Sequence, residues 1–307
     1  MEIHHQYIAY GRKAKKAIQN SREKIAKTIN CDAKEIYFTS CGSESDNLAI
    51  KGVAYKNKDK GNHIITTKIE HPAVLNTCKT LEKQGYEVTY LSVDNNGFVS
   101  LEELKNSIKE NTILISVMFA NNEIGTIQRI KEIGEIAKKH NIIFHTDSVQ
   151  AIGNIRIDVK ELNIDMLSAS AHKFYGPKGI GFLYAKDGVE FERIQDGGHQ
   201  EKDKRAGTEN VASIVGMAEA LELSYVDFDK TNQRIKNLRD YCISKIEKNI
   251  SDIKINGDRI ERLPGNINIS FKDIESDELL YKLDDLRNMC IRWKCMQFSE
   301  ILSHLMF

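Results

Sequence analysis

The chain has 307 residues, 41% of them apolar, which is enough for a large α/β unit followed by a smaller one. Its 44 basic and 44 acidic residues cancel, which argues against a nucleic-acid or anionic-membrane partner held by net charge. No run of about 18 apolar residues is present to cross a membrane. The start, Met1-Glu2-Ile3-His4-His5-Gln6-Tyr7, has no apolar signal core. The six cysteines, Cys31, Cys41, Cys78, Cys242, Cys290 and Cys295, form no Cys-x-x-Cys pair. A reducing cytoplasm is therefore expected, with no disulfide framework, zinc ribbon or other metal site.

In chain order, residues 12–29 read as a basic amphipathic helix, with Ala14, Ala17, Ile18, Ile25 and Ile29 near helical spacing. A short apolar run, 35–39, ends in the small polar turn Ser40-Cys41-Gly42-Ser43, and 48–53 is helical. A strand, a small turn and a helix in that order offer free backbone N–H groups to a phosphate. An ordinary cap by Ser43 or Ser45 reads equally well. Strands are then predicted at 62–67, 87–91, 112–119, 142–147 and 166–170. Helices are predicted to open at Glu70-His71-Pro72 and to span 101–109 and 130–140. A long helix covers about 211–248, with a possible bend near Asp227-Phe228-Asp229. Strand-like segments follow at 254–256 and 266–271, then a helix from Ser276 to Leu286.

This alternation predicts a mostly parallel sheet sandwiched by helices. Ligands in such sheets bind where strands end at the carboxyl edge. Ser43, Asn122, Asp147 and Lys173 all fall at predicted strand ends, so one cleft can collect them. Lys173 sits between Ser168-Ala169-Ser170-Ala171-His172 and a glycine-rich turn. A desolvated lysine amine is a nucleophile toward aldehydes, although a surface lysine before a turn has the same local sequence. Asp147, at a strand end, can hold a protonated ring nitrogen by a charge-assisted bond, or can simply cap a turn. His71 and the Gly197-Gly198-His199 loop each have a plain turn reading too. Together with Ser170 and His172, the set fits pyridoxal phosphate.

Over roughly residues 10–287 the chain resembles the cysteine desulfurases of the pyridoxal-phosphate class V aminotransferase superfamily. The motifs that carry the resemblance are Ser170-Ala171-His172-Lys173, His145-Thr146-Asp147, Glu70-His71-Pro72 and Arg205-Ala206-Gly207-Thr208. The resemblance implies a fold type I transferase with a mostly parallel seven-stranded sheet. A pyridoxal-phosphate-binding large domain would span 1–220, and an incomplete α+β small domain 221–307. Lys173 would be the Schiff-base lysine. Asp147 would meet the pyridine nitrogen, and Gln150 and Asn122 the phenolic oxygen. His71 would stack on the ring and assist acid–base steps. Gly42, Ser43, Ser170 and His172 would hold the phosphate, and Thr208 would reach that of the partner subunit in a homodimer. The implied reaction takes sulfur from L-cysteine, giving alanine and an enzyme persulfide. A sulfur-acceptor protein would pass the sulfur on to iron–sulfur clusters or thio-cofactors.

The ends depart from the family pattern. The family's opening strand and Gly-Asn-Pro-Ser-Ser turn are absent. Its mobile Ser-Gly-Ser-Ala-Cys loop is replaced by Met289-Cys290-Ile291-Arg292-Trp293-Lys294-Cys295-Met296-Gln297-Phe298. Back-translated and read in the neighbouring frame, 289–299 permits Ile-Cys-Val-Ser-Gly-Gly-Ser-Ala-Cys-Asn-Ser, and 1–7 permits Gly-Asn-Pro-Ser-Ser-Ile-His. The expectation is that both ends are frame-shifted stretches of a desulfurase gene. The catalytic cysteine codon would then lie across Met296 and Gln297. Cys295 would be a poor substitute as sulfur acceptor, although Arg292 and Lys294 favour its thiolate. On that reading cofactor binding survives and sulfur transfer is impaired. A different class V lyase or aminotransferase reaction, or a non-catalytic remnant, is the alternative.

Overall fold

The computed structural model of the protein describes residues 9–285. In chain order the elements are α1 (Ala9–Thr28), β1 (Ile36–Thr39), α2 (Gly42–Lys56), β2 (His63–Thr67), α3 (Pro72–Glu82), β3 (Glu87–Leu91), α4 (Leu101–Ser107), β4 (Thr112–Ser116), α5 (Ile130–Lys139), β5 (Ile143–Asp147), β6 (Met166–Ser170), β7 (Gly181–Ala185), α6 (Val211–Ser224), α7 (Phe228–Asn249), β8 (Ile253–Ile255), β9 (Ile269–Phe271) and α8 (Ser276–Asp285).

Seven strands form one sheet in the order β1-β7-β6-β5-β4-β2-β3. Only β7 runs against its neighbours, β1 and β6; the other pairs are parallel. The five central strands from β7 to β2 are buried throughout, apart from the first residue of β5. That explains their continuous apolar, β-branched reading. Alternate residues feed two cores. Ile115, Phe144, Leu167 and Phe182 face one with α1, α5 and α6. Leu114, Met166 and Leu183 face the other with α2 and α3. The predicted seven-stranded, mostly parallel sheet between helices is what the structure has.

Local chemistry sets the element ends. His71 caps α3, with Pro72 in its first turn. Ser100 Oγ accepts from the Glu103 N–H at 3.2 Å to start α4. Asp227 takes a left-handed φ of 50° and divides the predicted long helix into α6 and α7. The expected strand 112–119 pairs as a ladder only to Ser116. Beyond it, Val117 and Phe119 still donate to the carbonyls of His145 and Asp147 at 3.1 and 2.9 Å. Ala120 then turns to bridge Ile127. The segment 256–268 is tied to this hairpin through Thr126–Arg262 and through Asn266 and Asn268, whose side-chain amides donate to the Glu123 carbonyl. Among the described residues no helix is long and apolar enough to cross a membrane.

One buried ion pair fastens the segment 199–210. Arg22 of α1 forks onto Glu201 at 2.7 and 2.8 Å, and Glu201 also accepts from the Phe38 N–H at 2.9 Å. Glu201, Lys202 and Asp203 all hold positive φ, between 46° and 65°. L-residues adopt that conformation only where contacts over-determine it. Glu201→Ala strands the buried guanidinium and is expected to cost about 3–5 kcal/mol in a denaturant melt; a loss under about 1 kcal/mol would match a merely exposed pair.

Candidate active site

The carboxyl edges of β1, β2, β4, β5 and β6 bring the expected residues together. Gly42 and Ser43 open α2 after β1, and His71 follows β2. Asn122 lies in the turn after β4, Asp147 and Gln150 at and after the end of β5, and Ser170, His172 and Lys173 at and after the end of β6. Thr39 and Ser170 both pair with Gly181 of β7, which sets the β1–α2 turn beside the β6 end. The approach is close enough to require glycine twice. A Cβ on Gly181 would lie 2.9 Å from the Cys41 carbonyl carbon, and one on Gly42 would lie 2.5 Å from Val149 Cγ2.

Lys173 sits in a 3-10 turn, Ala171–Phe174, closed by Tyr175 at a left-handed φ of 66°. Gly176 N–H donates to the Ala171 carbonyl at 2.9 Å and locks that turn. Burial lowers the Lys173 pKa, opposed by the Asp147 charge, so the neutral, nucleophilic amine is favoured. Burial raises the Asp147 pKa, opposed by the Val149 N–H at 2.9 Å and by the charges of His71 and Lys173. His172 Nδ1 is 2.9 Å from Ser170 Oγ. Its pKa falls through burial and then through Lys173 and Lys178, so the ring is neutral. His71 Nδ1 accepts from the Ala73 N–H at 3.1 Å, leaving Nε2 to carry the proton.

The donor set fits pyridoxal phosphate. The N-cap of α2, Cys41, makes no side-chain capping bond, so the first-turn N–H groups stay available to an anion beside Ser170 and His172. A buried carboxyl with one described hydrogen bond binds a cationic N–H strongly. The side chains of Asn122 and Gln150 make no hydrogen bond among the described residues, whereas Asn121 is committed to its own turn through Ile69, Glu123 and Ile124. Thr208 stands apart: it is exposed in the 204–210 segment, and no described contact joins it to these residues. Arg205 ties that segment to Glu44 in the first turn of α2, at 2.7 and 3.2 Å. Cys295 lies outside the described residues.

Residue types alone did not single out a buried polar group behind the cleft. His145 is fully buried between Ser116 Oγ and Ser168 Oγ, each at 2.9 Å. Burial lowers its pKa to about 3. Glu70, beside His71, accepts from Thr67 Oγ and the Met118 N–H. Burial, with Asp147 nearby, raises its pKa to about 8. One signal was readable: His145 lies two residues before Asp147, on the same face of one strand.

These two groups pull the pH dependence of stability in opposite directions. His145 is depressed from 6.5, so its contribution is lost as pH falls from 6.5 toward 3. Glu70 is raised from 4.5, so its contribution is complete below 4.5 and lost as pH climbs toward 8. Between 4.5 and 6.5 the two slopes oppose each other, and the raised carboxyls of Asp46 and Asp147 add to the loss as pH climbs. In pH-dependent melts of the cofactor-free protein, His145 is expected to contribute a loss toward acid and Glu70 a loss toward alkali, each by up to about 1.4 kcal/mol per pH unit. His145→Gln should flatten the acid flank and Glu70→Gln the alkaline one. Melts that keep both flanks in both variants would contradict the assignment.

Residues 2–298 match the family model described as aminotransferase class-V. Curated relatives include the cysteine desulfurase IscS of Clostridium botulinum, 57% identical over 278 residues, covering 90% of this chain and 70% of the relative. The cysteine desulfurase IscS of Methanosarcina thermophila is 55% identical, covering 89% of this chain and 68% of the relative. Among solved structures, a NifS-like protein superposes with a TM-score of 0.88 at 39% identity, over 92% of this chain and 78% of that one. A structure titled SspA in complex with cysteine gives 0.77 at 40% identity, over 90% and 77%. The chain belongs to the class-V aminotransferases and, within them, to the cysteine desulfurases. Enzymes of this family depend on pyridoxal 5'-phosphate.

Proposed function

We propose that this enzyme removes sulfur from L-cysteine, releasing alanine, with the cleft residues in the following roles. Pyridoxal phosphate supplies an aldehyde and a ring that takes up electrons released at the substrate Cα. Lys173 Nζ would hold the aldehyde and, once displaced from it by the substrate's amine, would be placed to move the Cα proton; its lowered pKa favours both tasks. Asp147 accepts from the ring N–H. Asn122 and Gln150 donate to the phenolic oxygen, and His71 covers the ring face. The α2 N-terminus at Gly42 and Ser43, with Ser170 and His172, holds the phosphate. The observation that carries the reading is the electrostatic facing of Lys173 and Asp147 at neighbouring strand ends, next to an uncapped helix.

Several finer points belong to the same proposal. The cofactor-binding unit is taken as 1–220 and a smaller, incomplete one as 221–307; the left-handed Asp227 between α6 and α7 supports a break close to that boundary. The working form is a homodimer in which exposed Thr208 serves the partner subunit's phosphate site. Balanced charge and free cysteines support a cytoplasmic setting. The sulfur goes through a thiol acceptor to a carrier or scaffold protein for iron–sulfur clusters or thio-cofactors. The test is turnover of L-cysteine with excess dithiol, measuring alanine and sulfide. Equal release of both supports the reading, and product pyruvate or no alanine overturns it. Cys295→Ser alongside reports whether that thiol carries the sulfur: sulfide release at the parent rate in the variant excludes it.

A further inference from the structure

The polar group behind the cleft has an order of its own. Along β5, His145 and Asp147 share a face, and their pairing partners Ser116, on β4, and Ser168, on β6, share it too. α2 covers that face and presses Asp46 into it. Asp46 is 1% exposed and faces the Ser168 hydroxyl. Its Oδ1 has no hydrogen-bond partner and lies 3.7 Å from His145 Nε2. Ser168 therefore stands between Asp46 and His145, and His145 ends the row on Ser116 at 2.9 Å.

Two carboxyls, Asp46 and Asp147, thus share one buried site, and like charges at that depth do not both ionise. Their surroundings differ. Asp147 faces Lys173 and His71 and takes the Val149 N–H. Asp46 is disfavoured as an anion by burial and then by Asp147, Glu70 and Cys41, which together outweigh the Ser168 hydroxyl that favours the charge, and it lies near a histidine held neutral by burial. We propose that Asp46 is a positioning residue for the reaction: as a neutral acid bonded to Ser168, it leaves Asp147 as the carboxylate that carries the charge toward the cofactor. The polarity of the row follows. The Asp46 carboxyl donates to Ser168 Oγ, Ser168 donates to His145 Nε2, and His145 Nδ1–H donates to Ser116 Oγ. Each of the three protons passed along the row meets an acceptor, and β5 is held from behind where Asp147 ends it. The inference rests on the reading that Asp147 meets the ring nitrogen.

The test uses the full-length holoenzyme and reads the pH midpoint of its visible cofactor absorption and the rate of cofactor loss on dialysis. Asp46→Ala removes the donor to Ser168, so cofactor loss should quicken about tenfold and the midpoint should move. Asp46→Asn donates to Ser168 in the same place with no ionisable proton, and should restore both readouts to within about twofold of the parent. If Asp46→Ala does not fold, Ser168→Ala breaks the same row and should show the tenfold change. Asp46→Asn as impaired as Asp46→Ala would mean that an ionised Asp46 is required, and would overturn the proposal. Unchanged readouts in Asp46→Ala would overturn it as well. Asp147→Asn runs beside them: if it leaves the absorption midpoint untouched, the reading of Asp147 fails, separately from the role of Asp46.

Discussion

Lys173→Ala is expected to abolish covalent capture of pyridoxal phosphate and to cut L-cysteine turnover by at least about 10²–10⁴-fold. The lysine combines two tasks at one atom, since the amine that bonds the aldehyde is also the base placed to work at the substrate Cα. Burial in the turn after β6 lowers the pKa of that amine, and no other described lysine follows a strand of this edge in a locked 3-10 turn. The fold should tolerate the change, because Lys173 is only half-buried and the turn is closed by Gly176 and Tyr175. The purified variant should therefore melt as the parent does, lack the visible band and gain no band on addition of the cofactor. A variant that keeps band and turnover would return Lys173 to the ordinary surface lysine its local sequence also allows.

Asp147→Asn should slow turnover by about 10–100-fold, the worth of a charge-assisted hydrogen bond of about 1.5–3 kcal/mol. The substitution separates two roles. An asparagine Oδ1 accepts from the Val149 N–H as the carboxylate does, so a residue that only caps the turn would lose nothing. A residue that keeps the ring nitrogen protonated would lose its charge, and the ring would store electrons poorly. The visible band should persist while kcat falls and KM stays within a few-fold. Unchanged kcat would reduce Asp147 to a turn residue.

Most of the site was legible because its residues sit at element ends, where the switch from strand to helix periodicity is strongest. Asp147, Lys173 and His71 were found that way. The start of α2 was harder to see. The apolar pattern begins at Leu48, whereas the helix begins at Gly42. Its first turn is polar because it faces the cleft and the buried row instead of the apolar core. Asp46, just past that turn, has the residue type of a solvated helix position, yet it is 1% exposed. No local pattern reports burial of a charged residue type, since it depends on β5 and β6 meeting α2 from far along the chain. The bend in the long helix was visible as Asp227-Phe228-Asp229. The shortened β4 was not, because its apolar run continues into the loop that carries Asn122.

The central claim is that Lys173 is the cofactor-bearing residue of this chain. Borohydride reduction of the pyridoxal-phosphate-loaded protein, followed by peptide mass spectrometry, tests it at the level of one atom. The account predicts the pyridoxyl-phosphate mass on the Ala171–Lys178 segment, at Lys173, in amounts close to one per chain. The same mass on another lysine, or none after saturation with cofactor, would contradict it.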